Sequence, residues 1–210
     1  MEALPVFDPD TALRSGSISF IVGLQNTGKS TLVLDLLGRK NGWRDGYLYE
    51  RGDGGSPYTA IADRISHRVE EFDEQSLLDF LRNRRYPGQT DSFVVMEQWC
   101  YDAAVLRSAP IRLLANQSRS LRTSLLMTAL YAQGMPLTLR ATIDFLFVFR
   151  DPIESNIRRL HEGYLQEVLT LDELRSLIRS LPADRTCLVF NFTARTNVPP
   201  IYQYTALPPI

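Results

Sequence analysis

The sequence predicts an α/β domain with a mainly parallel central sheet and helices on both faces. Three observations predict it. Six apolar runs recur along the chain, with helical stretches between most of them. The runs are continuous rather than alternating, as in strands covered on both sides. A glycine-bearing turn, GLQNTGKS (Gly23–Ser30), joins the first run to an amphipathic stretch. At 210 residues the chain suits a single domain with a substantial core.

The elements follow in order. SISFIV (Ser17–Val22) is the first strand, and a helix over Gly28–Leu37 leaves the glycine turn. GYLYE (Gly46–Glu50) is the second strand, followed by the turn-rich RGDGGSP (Arg51–Pro57). A helix over Glu74–Arg84 carries Leu77, Leu78, Phe80 and Leu81 on one side, and YPGQT (Tyr86–Thr90) is a second turn-rich loop. FVVME (Phe93–Glu97), a helix over Ala103–Ser118, TSLLMTAL (Thr123–Leu130) and DFLFVF (Asp144–Phe149) come next. Helices over Ile153–Tyr164, entered through Pro152 at a first-turn position, and Leu171–Leu181 precede the last run, TCLVFNF (Thr186–Phe192). The predicted domain spans 17–205, with an extension at 1–16 and a Pro-Pro-Ile tail at 206–210 expected to be partly ordered.

Composition excludes several classes. A net charge of −1 supplies no global basic field, so any DNA contact must come from local arginines or a ring of subunits. The available clusters are Arg82–Arg85 (RNRR) and Arg158 with Arg159; equally, these are solvated helix faces paired with acids such as Glu154 and Glu162. Cys100 and Cys187 share no metal spacing and read as reduced, buried thiols of an intracellular protein. His67 and His161 also lack partners at metal spacing, and Trp43 and Trp99 read as packing residues. The start of the chain lacks a basic then apolar leader pattern, so secretion is not expected. The longest apolar runs fall far below the roughly 20 residues of a membrane span.

GLQNTGKS matches the phosphate-loop pattern G-x-x-x-x-G-K-[ST] in full, between a strand and a helix. Gly23 and Gly28 let the backbone curl so that the amides of Gln25, Asn26, Thr27 and Thr31 face phosphate. Lys29 reaches the β- and γ-phosphates and Ser30 offers a hydroxyl to magnesium. Mg·ATP is the expected cofactor. A GTPase is excluded, because its guanine-reading motif needs a downstream lysine and the chain has only Lys29 and Lys40. A nucleoside kinase, with RNRR as an arginine-bearing lid, stays open. In FVVMEQ, Glu97 is the strand-end acid on the magnesium side, and Gln98 stands where hydrolytic relatives of such strands carry a second acid. The signal order fits ATPases that insert an extra strand between the phosphate-loop and metal-acid strands.

The run FVVMEQWCYD, then SRSLRTSLLMTALYAQGMPLTLRATIDFLFVFRDPIESNIRRLHEGY, and finally TCLVFNFTARTN with YQYTAL resembles the genome-packaging ATPases of large nucleocytoplasmic DNA viruses, virophages and polinton-like elements, within the FtsK–HerA clan. The likeness runs from about Ser17 to the C-terminus. It implies a homo-oligomeric ring that drives double-stranded DNA into a preformed capsid, with capsid or portal-vertex proteins as partners. It also implies residence in the host cytoplasm and the virion. By position it makes Arg119 the first and Arg140 the second candidate for an arginine finger acting on a neighbour's γ-phosphate. The chain departs from the pattern at Glu97 (usually aspartate), at Gln98 (usually an acid) and at Leu130 (usually glutamine). Gln133 is a possible substitute for the last, and Asp102 is either a recruited base or a helix cap. Glutamine orients a water but cannot accept its proton. A slow ATPase and a subunit that only holds nucleotide therefore both remain open.

Overall fold

The computed structural model describes residues 4–39, 43–50, 56–85, 90–98, 102–132, 135–194, 196 and 199–208. Its strands are β1 (Ile18–Val22), β2 (Trp43–Glu50), β3 (Ile65–Val69), β4 (Asp91–Glu97), β5 (Thr123–Ala129), β6 (Phe145–Phe149), β7 (Thr186–Asn191) and β8 (Ile201–Thr205). They form one sheet in the order β3-β2-β4-β5-β1-β6-β7-β8. The first six are parallel, whereas β7 runs antiparallel to β6 and β8 antiparallel to β7. Two consequences position the site. β5 separates β1 from β4, so an extra strand stands between the glycine turn and the strand-end acid. The connection after β1 runs to β2 on one side and that after β5 runs to β6 on the other, which opens a crevice at the carboxyl ends of β1 and β5.

The helices are α1 (Pro9–Ala12), α2 (Lys29–Arg39), α3 (Glu74–Arg82), α4 (Ala103–Arg107), α5 (Ala109–Gln117), α6 (Leu137–Arg140), α7 (Glu154–Leu160) and α8 (Leu171–Ser180). Alternation along the strands splits the core in two. Phe20, Met96 and Val148 face α3, α5, α7 and α8 through Leu77, Leu114, Ile157 and Ile178. Ile21, Val95 and Phe147 face α2 through Leu32, Val33 and Leu36, with Tyr58 in the same cluster. None of the described helices is long and apolar enough to cross a membrane.

Among the local features not expected from the sequence, three have a plain physical reason. The helix expected over Ala103–Ser118 is two helices, because Ser108 is extended and Pro110 opens the second. β3 (ISHRV) was not expected; as an edge strand it keeps three of its five side chains exposed and shows little apolar run. The helix after Pro152 ends at Leu160 and continues as a π turn over His161–Leu165.

Asp35, buried on α2, ties the C-terminal segment to this helix. Its Oδ2 accepts from the Tyr204 hydroxyl at 2.5 Å and the Leu207 amide at 3.0 Å, while Oδ1 accepts from Arg39 Nε at 2.9 Å. Phe7, from the segment before β1, packs edge-on against Phe147 and Tyr204. Asp35→Ala orphans the buried phenol and the amide together, and is expected to cost about 2–3 kcal/mol in urea unfolding.

Candidate nucleotide site

The glycine turn leaves β1 where the Gly23 amide donates to the Ala129 carbonyl at 3.1 Å. A side chain on Gly23 would place Cβ 2.7 Å from both Phe149 Cβ and Thr27 Oγ1, so only glycine fits. Gly28 has φ +104° and faces Arg185, whose Cγ would lie 2.8 Å from an added Cβ. The loop then curls around one carbonyl: Leu24 O accepts from Thr27 Oγ1 at 2.9 Å and from Lys29 Nζ at 2.8 Å. Gln25 and Asn26 are exposed, and Thr31 is half-buried in the first turn of α2. Burial pulls the Lys29 pKa below the ordinary lysine value, and the Glu97 carboxylate opposes that shift. The ammonium is held dehydrated at the N-terminus of α2, where a phosphate would find it prepared.

Ser30 Oγ donates to Glu97 Oε1 at 3.0 Å, joining the end of the loop to the end of β4 across the intervening β5. The other oxygen, Oε2, accepts from the Tyr58 hydroxyl. Tyr58 is wholly buried, and burial, then the neighbouring Glu97 carboxylate, raise its pKa well above the ordinary phenol value. It belongs to a 3-10 stretch, Pro57–Arg64, capped by Ser56, which accepts from the Tyr58 amide at 3.1 Å. The same Ser56 hydroxyl donates to Glu50 Oε2 at 2.7 Å. Glu50 ends β2 and is the register partner of Glu97. Arg68, on β3, completes the group with an ion pair to Glu50 Oε2 at 3.0 Å. Hydroxyl and carboxylate oxygens meeting at the phosphate loop are the donor set a magnesium ion takes, in company with phosphate and water. Ser30 and Glu97 would hold it.

Neither Glu50 nor Tyr58 stands out in the sequence as a site residue. For Glu50 a signal exists: GYLYE and FVVME are both apolar runs closed by a glutamate. For Tyr58 none does, since only the fold returns it to β4.

The structure brings Lys29, Ser30 and Glu97 together and treats the other candidates differently. Gln98 lies just past β4 in the left-handed region (φ +58°); its amide donates to Thr128 Oγ1 at 3.0 Å and its side chain is exposed. Asp102 caps α4, accepting from the Ala104 amide at 2.8 Å and the Val105 amide at 3.3 Å. Leu130 is half-buried beyond β5, and Gln133, Trp99 and Cys100 lie outside the described residues. Arg140 is engaged internally: Nη1 donates to the Gly163 carbonyl at 2.6 Å and the guanidinium sits 5.5 Å over the Tyr164 ring.

Arg119 precedes β5, at the edge of the sheet opposite the phosphate loop. The length of β1, five residues or about 16 Å, separates it from its own loop. Nη2 donates to Asp144 Oδ1 at 2.5 Å, yet the side chain is 73% exposed. It borders a polar cavity of about 580 Å³ shared with Arg14, Ser15, Ser17 and Asn191. Gly16 sets its position, because a Cβ there would lie 2.5 Å from Arg119 Cα.

Among the arginine clusters, Arg82 pairs with Asp79 at 3.1 Å, and Arg84 pairs with Asp45 and covers the Phe80 ring at 4.8 Å. Arg158 and Arg159 are exposed on α7, while Glu154 is bound by Arg175 Nε at 3.0 Å.

No protein-family model matches the chain. An uncharacterised protein, 075L, of Invertebrate iridescent virus 6 is 22% identical over 189 residues, spanning 87% of this chain and 73% of its own. The DNA-packaging ATPase B204 of Sulfolobus turreted icosahedral virus superimposes with a TM-score of 0.69 at 10% identity, covering 93% of this chain and 100% of that one. The chain has the fold of this packaging ATPase. The genome-packaging NTPase B204 of Sulfolobus turreted icosahedral virus 2, in complex with AMPPCP, gives 0.66 at 11% identity over 95% and 99% of the two chains. The cytoplasmic domain of the Type VII secretion ATPase EccC of Thermomonospora curvata gives 0.64 at 13% identity, over 93% of this chain and 26% of that one. The expected α/β architecture, with its extra strand, is thus the observed one.

Proposed function

We propose that this chain is the ATPase subunit of a viral DNA-packaging motor, coupling ATP hydrolysis to the movement of double-stranded DNA into a preformed capsid. The observation that carries the reading is the Ser30–Glu97 bridge, which joins the last residue of the phosphate-loop pattern to the strand-end acid across an extra strand. The B204 proteins share the fold and are packaging NTPases, one of them holding an ATP analogue. In this reading Lys29 and the loop amides bind the phosphates, Ser30 and Glu97 hold magnesium, and Arg119 acts on the neighbour's nucleotide in a homo-oligomeric ring. The bound magnesium supplies charge neutralisation on the β- and γ-phosphates. The exposed Arg158 and Arg159 offer DNA-facing charge, and capsid or portal-vertex proteins are the docking partners. Host cytoplasm and virion are the corresponding locations.

Gln98 favours a second reading, a subunit that holds ATP without splitting it. The nucleoside-kinase reading loses its support, because Arg84 of the supposed lid is committed to Asp45 and Phe80. The test is steady-state ATP hydrolysis with and without double-stranded DNA, beside Lys29→Ala. The motor reading expects DNA-stimulated turnover that vanishes in the variant. Tight ATP binding without turnover would establish the holder.

A further inference from the structure

We propose that Glu50, rather than Gln98, is the carboxylate that takes the proton of the water attacking ATP. The proposal rests on the ATPase reading and names the group that makes hydrolysis possible at a site whose Walker-type acid is followed by glutamine.

Glu50 and Glu97 are paired residues on adjacent parallel strands, so their side chains leave the same face of the sheet at the same edge. That face is the one α2 covers, and β2 and β4 both end at the edge where the phosphate loop lies. Gln98 lies past the strand end, with an exposed side chain and a backbone anchored to Thr128. The acid missing after Glu97 in the sequence is therefore supplied beside Glu97 in space.

Burial and hydrogen bonding make the same point. Both glutamates are 7% exposed, and a carboxylate buried to this degree needs partners. Each is held individually. Glu97 uses both oxygens, one on Ser30 and one on Tyr58. Glu50 receives Ser56 and Arg68 on Oε2, and among the described residues no bond falls on Oε1. Glu97 is thus committed to the metal side, and Glu50 retains an oxygen for a water. The added distance from the phosphate loop is one strand spacing, about 4.8 Å. One hydrogen-bonded water at about 2.8 Å, with the length of the side chain, covers it.

In the reaction, the water oxygen bonds to the γ-phosphorus as the bond from that phosphorus to the β-phosphate oxygen breaks. ADP leaves with the electron pair, inorganic phosphate is the other product, and the water's proton passes to Glu50. Arg68 and Ser56 act as positioning residues that aim Oε1.

The test is Glu50→Gln, which keeps the shape and an acceptor for Ser56. Three quantities are measured in parallel with wild type: ATP affinity, turnover with DNA, and the identity of nucleotide recovered from the bound complex. The proposal expects unchanged affinity, turnover lower by about 10²–10⁴-fold, and intact ATP in the complex. Adding Gln98→Glu to Glu50→Gln is expected not to restore turnover, because the new carboxylate starts from the wrong side of the strand end. Wild-type turnover in Glu50→Gln overturns the proposal while leaving the ATPase reading intact. Lost ATP affinity overturns it too, by showing Glu50 to be a ligand of the metal–nucleotide complex. Absence of turnover in the wild type defeats the ATPase reading itself, and the proposal with it.

Discussion

Arg119→Ala is expected to lower ATP turnover by about 10³–10⁵-fold with no loss of ATP affinity, the effect of removing an arginine finger. The geometry supports action on a neighbour only. Arg119 stands at the opposite edge of the sheet from its own phosphate loop, exposed despite its bond to Asp144. Its backbone is fixed by the close approach of Gly16 and its side chain borders an open polar cavity, so it is aimed outward from a rigid base. Charge grows on the transferring phosphoryl oxygens, and an arginine supplied across an interface stabilises that charge without contributing to ground-state binding. The ion pair joins the exposed Arg119 to the buried Asp144, so urea unfolding of the variant is measured in parallel to separate lost stability from lost turnover. Mixing Arg119→Ala with Lys29→Ala separates the roles. In the proposed ring, one subunit would bind ATP but lack the finger, and the other would supply the finger but bind no ATP. Partial recovery of turnover in the mixture is the expected result; a mixture no more active than its components would assign Arg119 to the support of its own chain through Asp144.

Lys29→Ala is expected to reduce ATP affinity by at least about 100-fold and to leave no measurable turnover, since charge-assisted bonds to phosphate are among the strongest a side chain makes. The ammonium is buried, donates to Leu24 O, and already bears the cost of dehydration that lowers its pKa. Because the structure holds this charge in an unfavourable place, truncation should leave the folded state close to wild type in urea unfolding. Isothermal titration of ATP into the variant checks the affinity. Wild-type affinity would mean that the loop amides alone carry the phosphates.

What the sequence reveals depends on whether the chemistry lies within one segment. GLQNTGKS was legible because phosphate binding dictates residue types at fixed spacing along a single turn, and Glu97 because it closes an apolar run. The Glu50–Glu97 pair was not, because strand register is a property of the sheet rather than of either strand. Tyr58 reaches Glu97 from 39 residues away, and Arg119 reaches Asp144 across 25. The split at Ser108 had its signal in Pro110, which was outweighed by an otherwise continuous helical pattern. β3 was hidden by its exposed edge position, where polar side chains erase the apolar run that marks the central strands.

The most direct test of the motor is displacement of a third strand from a triplex-bearing double-stranded DNA by the purified chain. Displacement that needs ATP, fails with a non-hydrolysable analogue and is lost in Lys29→Ala is the predicted result. ATP turnover without any displacement would contradict the account, leaving an ATPase that does not move along DNA.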